Sequence, residues 1–385
     1  MAGNSRVAIV IDHSHRSATF KHALKYPFFT NYTAPEKYGL APGKTLNFYL
    51  TTPDNETLGA WFVLSESIYQ TLPKDSFLTQ PNETVSYALT HAPTILFLHG
   101  AAGTRAMGFR VQAYHAFTSR LDCNIMAMDY RGFADSTGEP GEEGLVLDSY
   151  TAWDWLLQNG AKPEDILIDG HSLGTAVASQ LAKRLAQEYE AANYTGGKPR
   201  GVVLRAPFTT AIALAESYPL LGLPILQPLQ KSSLGRKFLR YVLATEFDTL
   251  AAVSDFHIPT LIAHSRLDEQ IPFSHAQTLI DKLLSPLLPP EVTPPTPGSP
   301  SLTEEFAAFT KAQNDRREAR LAVVQKREIP NFGVVEEFDR DGSKGSGEHK
   351  VVYVETIWGN HVDIGSHEGV QDEMARVFKL GPYAT

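Results

Sequence analysis

The sequence lacks the features that mark several large classes of protein. Cys123 is the single cysteine in 385 residues, which excludes an internal disulfide framework, and its apolar surroundings predict a buried structural thiol. No apolar run reaches the roughly 20 residues that a membrane-spanning helix needs. The run Val7–Ile11 is also too short for the core of a signal peptide. The formal net charge of -9 argues against a nucleic-acid partner, because a phosphate binder needs a positive face.

The composition is that of a globular protein, with 43% hydrophobic and 20% charged residues. His13 and His15 are two positions apart, but no further ligand stands nearby, so we predict solvated side chains and no metal site. Four Asn-x-Ser/Thr triplets matter only if the chain enters the secretory pathway: Asn31, Asn55, Asn82 and Asn193.

Short apolar runs alternate with stretches of helical spacing through most of the chain. The predicted strands are Pro93–Leu98, Asn124–Met128, Ile166–Ile168, Val202–Leu204, Thr260–Ala263 and Val351–Val354. Such alternation is typical of βαβ units, so we predict an α/β fold with a mostly parallel central sheet and helices on both faces. Before it, alternation within 45–63 predicts an antiparallel hairpin that turns at Pro53–Glu56.

Two segments interrupt this alternation and set the predicted boundaries. Residues 206–256 are longer than a crossover helix requires, which predicts a helical lid insertion. Their leucines and basic residues suit either contact with a membrane surface or packing on the sheet. Residues 285–350 are Pro-rich and then charged, so we predict a partly disordered insertion outside the catalytic core. The expected units are 1–92 (N-terminal extension and antiparallel edge strands), 93–205 (core), 206–256 (lid), 257–284 (core), 285–350 (insertion) and 351–385 (last strand and helix).

Ser172 lies at the centre of the chemistry that the sequence predicts. It stands in Gly170-His171-Ser172-Leu173-Gly174, between an apolar strand and a helix rich in alanine and leucine. This is the setting of the G-x-S-x-G elbow, in which a strained turn exposes a nucleophilic serine. The two glycines leave room where strand and helix would otherwise clash. A plain strand-to-helix turn is the alternative.

A serine hydroxyl needs a base to take its proton and an acid to orient that base. On this fold the order along the chain is serine, acid, histidine. Asp268 follows the strand Thr260–Ala263 and is the favoured acid, with Glu269 as its rival; His264 is predicted to cap the strand. His361 follows the last strand and is favoured over His367 as the base. The separation of 93 positions (361 − 268) is explained by the insertion at 285–350.

An oxyanion hole needs two backbone N–H groups directed at the developing negative charge. Leu173, which follows the nucleophile, is predicted to supply one. The other is expected from the Gly-rich loop His99–Gly103, with Ala101 as the favoured donor and Ala102 as the alternative. The predicted chemistry requires no cofactor.

With these residues assembled, the chain resembles the α/β-hydrolase-domain serine lipases, and most of all the branch that acts on monoacylglycerols and lysophosphatidylserine. The resemblance covers about 94–285 and 351–380. The motifs that carry it are Leu98–Arg105, Phe109–Val111, Asp129–Ser136, Gly170–Thr175, Ala206–Thr209 and the Asp268 loop that ends in Ile271-Pro272.

The resemblance implies the α/β-hydrolase fold and hydrolysis of a single-chain lipid ester through an acyl-enzyme. The family usually has Asn at the position of Ala101 and Gly at that of Ala134; the first change keeps the backbone donor, so we expect it to tune activity. The branch is usually found at the endoplasmic reticulum, whereas the sequence has no evident anchor or signal and would by itself favour the cytoplasm. The oligomeric state stays open.

Three other functions fit parts of the same pattern. A protein-acyl thioesterase or a serine peptidase would use the same three residues. A hydrolase-fold interaction protein without catalysis would usually lack one of them, and here all three positions are filled. The leading prediction is therefore a serine hydrolase that acts on a lipid ester.

Overall fold

A computed structural model describes residues 20–191, 197–217, 245–295, 302–342, 347 and 349–383. Within these ranges the strands are β1 Thr45–Thr51, β2 Thr57–Val63, β3 Thr94–Leu98, β4 Asn124–Met128, β5 Ile166–His171, β6 Gly201–Arg205, β7 Thr260–Ser265, β8 Gln325–Ile329, β9 Gly333–Asp339 and β10 Lys350–Thr356. They form one sheet in the order β1-β2-β4-β3-β5-β6-β7-β10-β9-β8. Strands β4 to β10 in that order are parallel, and antiparallel pairs flank them on both sides. The predicted α/β fold with a mostly parallel sheet is confirmed.

Helices cover both faces of the sheet. In the described ranges they are α1 Glu66–Thr71, α2 Ser76–Thr79, α3 Pro81–His91, α4 Gly108–Arg120, α5 Glu142–Gln158, α6 Leu173–Glu190, α7 Ala211–Ser217, α8 Thr249–Ala252, α9 Ser274–Leu284, α10 Leu302–Val323 and α11 Glu368–Phe378. Helices α3, α5, α6 and α9 pack into one hydrophobic cluster, whereas α4 and α11 pack into the other.

The central strands are buried on both faces, as their continuous apolar sequences predict. On β3, Ile95 and Phe97 face one cluster while Leu96 belongs to the other, because successive side chains of a strand point to opposite faces. Cys123, just before β4, is fully buried as predicted, and burial raises the pKa of its thiol. This arrangement leaves the loops at the carboxyl ends of the strands free to build a site.

The N-terminal hairpin also forms as predicted. Strands β1 and β2 pair antiparallel from Thr45 opposite Val63 to Thr51 opposite Thr57, and β2 continues the sheet onto β4. Trp61 on β2 is fully buried. The hairpin therefore closes one edge of the sheet.

The interpretation of 285–350 as an insertion outside the core is wrong for its second half. Strand β9 pairs with β10, with Val335 opposite Val354, and β8 then pairs with β9. Val335 and Phe338 are buried, and a Cβ on Gly333 would lie 1.9 Å from the carbonyl oxygen of Glu355. The segment therefore extends the central sheet, because β10 would otherwise present an unpaired edge.

Most of the predicted lid at 206–256 lies outside the described residues, which include only α7 and α8 at its two ends. The lid therefore stays a prediction, as do the other unit boundaries. In the described part of the chain, no helix combines the length and the apolar character needed to cross a membrane.

Candidate active site

Ser172 lies in a sharp turn between β5 and α6. Its backbone angles are φ 53° and ψ -119°, a conformation that residues with a side chain rarely adopt. A Cβ on Gly170 would lie 2.3 Å from the carbonyl oxygen of Gly174, and one on Gly174 would lie 1.9 Å from that of Leu98. Both glycines are therefore required by close backbone contacts, as the elbow motif predicts.

Asp268 lies in the loop after β7, and its carboxylate is almost fully buried. One oxygen accepts hydrogen bonds from the backbone N–H groups of Gln270 and Ile271, each at 2.8 Å. The other lies 2.8 Å from Nδ1 of His361 and 3.2 Å from Nε2 of His264. Burial opposes ionisation, but the hydrogen bonds from the two histidines outweigh it and hold the pKa of Asp268 well below its usual range.

His361 lies in the loop after β10 and is 5% exposed. Its ring bonds Asp268, and its backbone carbonyl accepts a 2.7 Å hydrogen bond from Nε2 of His171. Because a carbonyl only accepts, the proton of the His171 ring is assigned to Nε2. Burial, together with the nearby His361 and Arg205, lowers the pKa of His171 well below its ordinary value. A neutral His171, adjacent to Ser172 in sequence, thus joins the His361 loop to the elbow.

The alternative candidates for the acid and the base, Glu269 and His367, do not take part in the contact between Asp268 and His361. Glu269 is exposed. The His367 side chain is 25% exposed, and its Nε2 lies 3.5 Å from Asp363 rather than beside Asp268. His264, predicted as a strand cap, instead donates to the carbonyl of Ile271 at 2.9 Å and contacts Asp268. The geometry therefore pairs Asp268 with His361, and His171 connects the His361 loop to the strand that ends in the Ser172 elbow.

The Gly-rich loop His99–Gly103 lies against the elbow. A Cβ on Gly100 would be 3.0 Å from Cβ of Ser172. The N–H of Ala102 already donates to the carbonyl of Phe20 at 3.0 Å, whereas the described residues offer no acceptor to the N–H groups of Ala101 and Leu173. The geometry therefore favours Ala101 over Ala102 as a donor to a bound anion.

Arg110 holds this loop from inside the protein. Its guanidinium is fully buried and donates to the carbonyls of Gly100 at 3.0 Å, Ala102 at 2.7 Å and Thr104 at 2.9 Å. His99 Nδ1 donates to the same Gly100 carbonyl at 2.7 Å. In a trans peptide the C=O of one residue and the N–H of the next point in opposite directions. Fixing the Gly100 carbonyl therefore turns the N–H of Ala101 away from Arg110.

A second buried cation connects the loop to β4. Arg105 donates through Nη1 to Asp129 at 2.7 Å and to Asp135 at 2.6 Å, and its backbone N–H bonds Asp129 at 2.8 Å. Buried charges need such partners. The Asp129–Ser136 motif thus supports the Gly-rich loop from the neighbouring strand.

Sequence reasoning missed three residues of this site. His171 lies inside the elbow motif and Arg110 lies inside Phe109–Val111, but neither was predicted to have a role; His264 was predicted to cap a strand. Each acts on a backbone carbonyl or a distant carboxylate, which no local pattern reveals. Among the described residues, no group of His, Cys, Asp or Glu is arranged to hold a metal ion.

Comparison with known proteins agrees with this fold. A model of the alpha/beta hydrolase family matches residues 95–341. The lysophosphatidylserine lipase ABHD12 of Danio rerio is 32% identical over 266 residues, which cover 68% of this chain and 64% of the relative. Protein ABHD12B of Homo sapiens is 30% identical over 67% of this chain and 66% of its own length.

The chain thus spans about two thirds or less of the length of these relatives. A crystal structure of an alpha-beta hydrolase from Vibrio vulnificus shares 13% identity and a TM-score of 0.53, covering 94% of this chain and 91% of that one; at this identity it shows the fold alone. The resemblance predicted from the motifs is confirmed, and the chain belongs to the alpha/beta hydrolase family.

Proposed function

We propose that this protein is a serine hydrolase that cleaves the carboxylic ester of a single-chain lipid. The observation that carries the proposal is the 2.8 Å hydrogen bond between His361 and Asp268. His171, next to the strained Ser172 elbow, bonds the backbone carbonyl of the same His361. Membership of the alpha/beta hydrolase family supports the same reaction class. The similarity to lysophosphatidylserine lipases supports a lysophospholipid as substrate, with a monoacylglycerol as the second choice.

In the proposed reaction the Ser172 Oγ attacks the ester carbon while Nε2 of His361 accepts the hydroxyl proton. Asp268 bonds Nδ1, so it orients the ring and stabilises the imidazolium that forms. His361 then delivers the proton to the leaving glycerol oxygen as the ester C–O bond breaks. Water, deprotonated by His361, attacks the acyl-enzyme, which releases the fatty acid and restores Ser172.

The negative charge that develops on the carbonyl oxygen needs fixed donors. We assign this role to the N–H groups of Ala101 and Leu173, with Arg110 and His99 as positioning residues that orient the Ala101 peptide. Donors fixed in advance need no reorganisation during the reaction, and each contributes about 10²–10³ in kcat.

A fluorophosphonate probe tests the reaction class. We expect it to label the wild-type protein and to fail on Ser172→Ala. A folded wild type that does not label would contradict the proposal and favour a hydrolase-fold interaction protein. For the acid, Asp268→Asn should lower kcat by about 10⁴, whereas the neighbouring Glu269→Gln should leave it unchanged.

A substrate panel tests the lipid class. We expect the highest kcat/KM on lysophosphatidylserine, then on other lysophospholipids and monoacylglycerols. Acyl-cysteine peptides and blocked peptide amides represent the thioesterase and peptidase alternatives. Hydrolysis of either of these in preference to every lipid ester would overturn the substrate assignment while leaving the assignment of Ser172 intact.

A further inference from the structure

Four large apolar side chains stand exposed on one short segment before the first strand. They form what we call the aromatic patch: Leu24 (52% exposed), Tyr26 (52%), Phe28 (64%) and Phe29 (101%). Phe29 also has a positive φ of 56°, so neither burial nor backbone preference accounts for a phenylalanine there. Clustered exposed apolar side chains mark interaction surfaces.

The aromatic patch is attached to the candidate active site. The carbonyls of Phe20 and Leu24 accept hydrogen bonds from the N–H groups of Ala102 and Gly103, at 3.0 and 2.9 Å. The Phe20 ring is buried and meets Phe247 edge-on at 6.0 Å. The segment is therefore fixed on the Gly-rich loop by one side while its aromatic side chains face solvent. The residue next to these contacts, Ala101, is the proposed oxyanion donor.

The charge on the patch has the opposite sign to that of the whole chain. Lys21 and Lys25 are exposed between the apolar residues, and no carboxylate of the described residues forms an ion pair with either. The chain as a whole carries -9. Aromatic side chains set among lysines suit the interface of an anionic bilayer, where the rings enter the headgroup region and the ammonium groups meet lipid phosphates and carboxylates.

We propose that the aromatic patch docks the protein on an anionic lipid surface, with the Gly-rich loop turned toward that surface. A single-chain lipid would then pass between the bilayer and Ser172 without crossing bulk water. The passage of the lipid to Ser172 rests on the proposed function, whereas the docking itself does not. Acidic surface elsewhere on the chain would be repelled by the same bilayer, so the two lysines also select the orientation.

Vesicle co-sedimentation tests the docking without using activity. Wild-type protein is mixed with vesicles of phosphatidylcholine alone and of phosphatidylcholine with phosphatidylserine. We expect binding to the anionic vesicles, weakened at least about tenfold in Phe28→Ser/Phe29→Ser because each ring loses its apolar burial. Lys21→Gln/Lys25→Gln should remove the preference for phosphatidylserine and the dependence on salt.

Leu78→Ser and Leu321→Ser are matched controls, since these leucines are 87% and 71% exposed but lie outside the patch. Equal vesicle binding by wild type and the Phe28/Phe29 variant, or equal loss in the controls, would overturn the proposal. A third outcome would also overturn it: wild-type protein binds no vesicles but self-associates in solution, and the Phe28/Phe29 variant does not self-associate. The patch would then join copies of this chain.

A water-soluble short-chain ester separates this proposal from the proposed function. The Phe28→Ser/Phe29→Ser variant should hydrolyse that ester at the wild-type rate but lose activity on a lysophospholipid presented in vesicles. If wild type hydrolyses neither ester, the proposed function fails while the vesicle-binding result still decides the docking.

Discussion

Arg110→Met removes the guanidinium that holds the Gly-rich loop and keeps most of its volume. The lost contacts are hydrogen bonds to the carbonyls of Gly100, Ala102 and Thr104. The Gly100 carbonyl keeps its bond from His99, and the Thr104 carbonyl keeps the backbone N–H of Met107 at 3.0 Å. Of these three carbonyls, only that of Ala102 then has no other donor among the described residues.

The loss of these contacts is expected to affect both the unfolding free energy and kcat. A part-buried carbonyl that loses its partner costs at most about 1–3 kcal/mol of unfolding free energy, so we expect the variant to fold. The Gly100–Ala101 peptide loses one of the two donors that orient it. Because removal of an oxyanion donor lowers kcat by about 10²–10³, a donor that is only misdirected should lower kcat by up to about 10². KM should stay unchanged, since the ground-state ester carries no full negative charge.

The assay compares kcat and KM on a water-soluble ester with the affinity for a boronate inhibitor, whose tetrahedral adduct resembles the charged intermediate. Arg200→Met is the matched control. Arg200 also donates to a backbone carbonyl, that of Phe378 at 2.9 Å. It lies just before β6, however, at the amino ends of the parallel strands, whereas the candidate site lies at their carboxyl ends. Boronate affinity should fall with kcat in Arg110→Met and stay constant in the control.

Arg110→Lys offers a conservative comparison. One ammonium group lacks the forked geometry that spans several carbonyls, so we expect kcat between those of wild type and Arg110→Met. A folded Arg110→Met protein with wild-type kcat and boronate affinity would refute the positioning role. An equal loss of kcat and boronate affinity in Arg200→Met would mean that the effect of Arg110→Met reflects general destabilisation of the fold.

Three further predictions concern the base, the pH dependence of stability and the edge of the sheet. His361→Ala should lower kcat by at least about 10³, whereas His367→Ala should not; equal losses measured in both would contradict the choice of base. The pKa of His171 is depressed in the folded state. Below about pH 6.5 this histidine therefore takes up a proton more readily in the unfolded chain than in the folded one, so the unfolding free energy falls as pH drops. Denaturant titrations at several pH values should show a weaker fall in His171→Gln. Val335→Ala should cost about 2 kcal/mol in thermal or denaturant unfolding while the exposed Val292→Ala costs almost nothing; a neutral Val335→Ala would mean that β9 is not integral to the sheet.

Local sequence patterns were enough to predict the centre of the fold. The predicted and observed strands agree within a few residues around β3, β4 and β5, because strands buried on both faces leave continuous apolar runs. The elbow at Ser172 was predicted on the same basis, since strand, glycines and helix are adjacent in the chain.

Strands β8 and β9 were not predicted, because their burial depends on a partner elsewhere in the chain. Strand β8 is mostly exposed, and β9 has two adjacent glutamates, Glu336 and Glu337, between the buried Val335 and Phe338. Such charged segments become strands only when an edge such as β10 supplies hydrogen bonds and an apolar surface.

The sequence by itself determined the alternation of strands and helices at the centre of the sheet, the elbow and the short set of acid and base candidates, since these depend on residues close together in the chain. Only the tertiary structure brought Asp268 rather than Glu269 to His361, and Arg110 to the carbonyls behind Ala101. The reason is physical: these partners are joined by hydrogen bonds between separate loops, and the direction of a backbone carbonyl depends on the folded chain rather than on the identity of the residue that carries it.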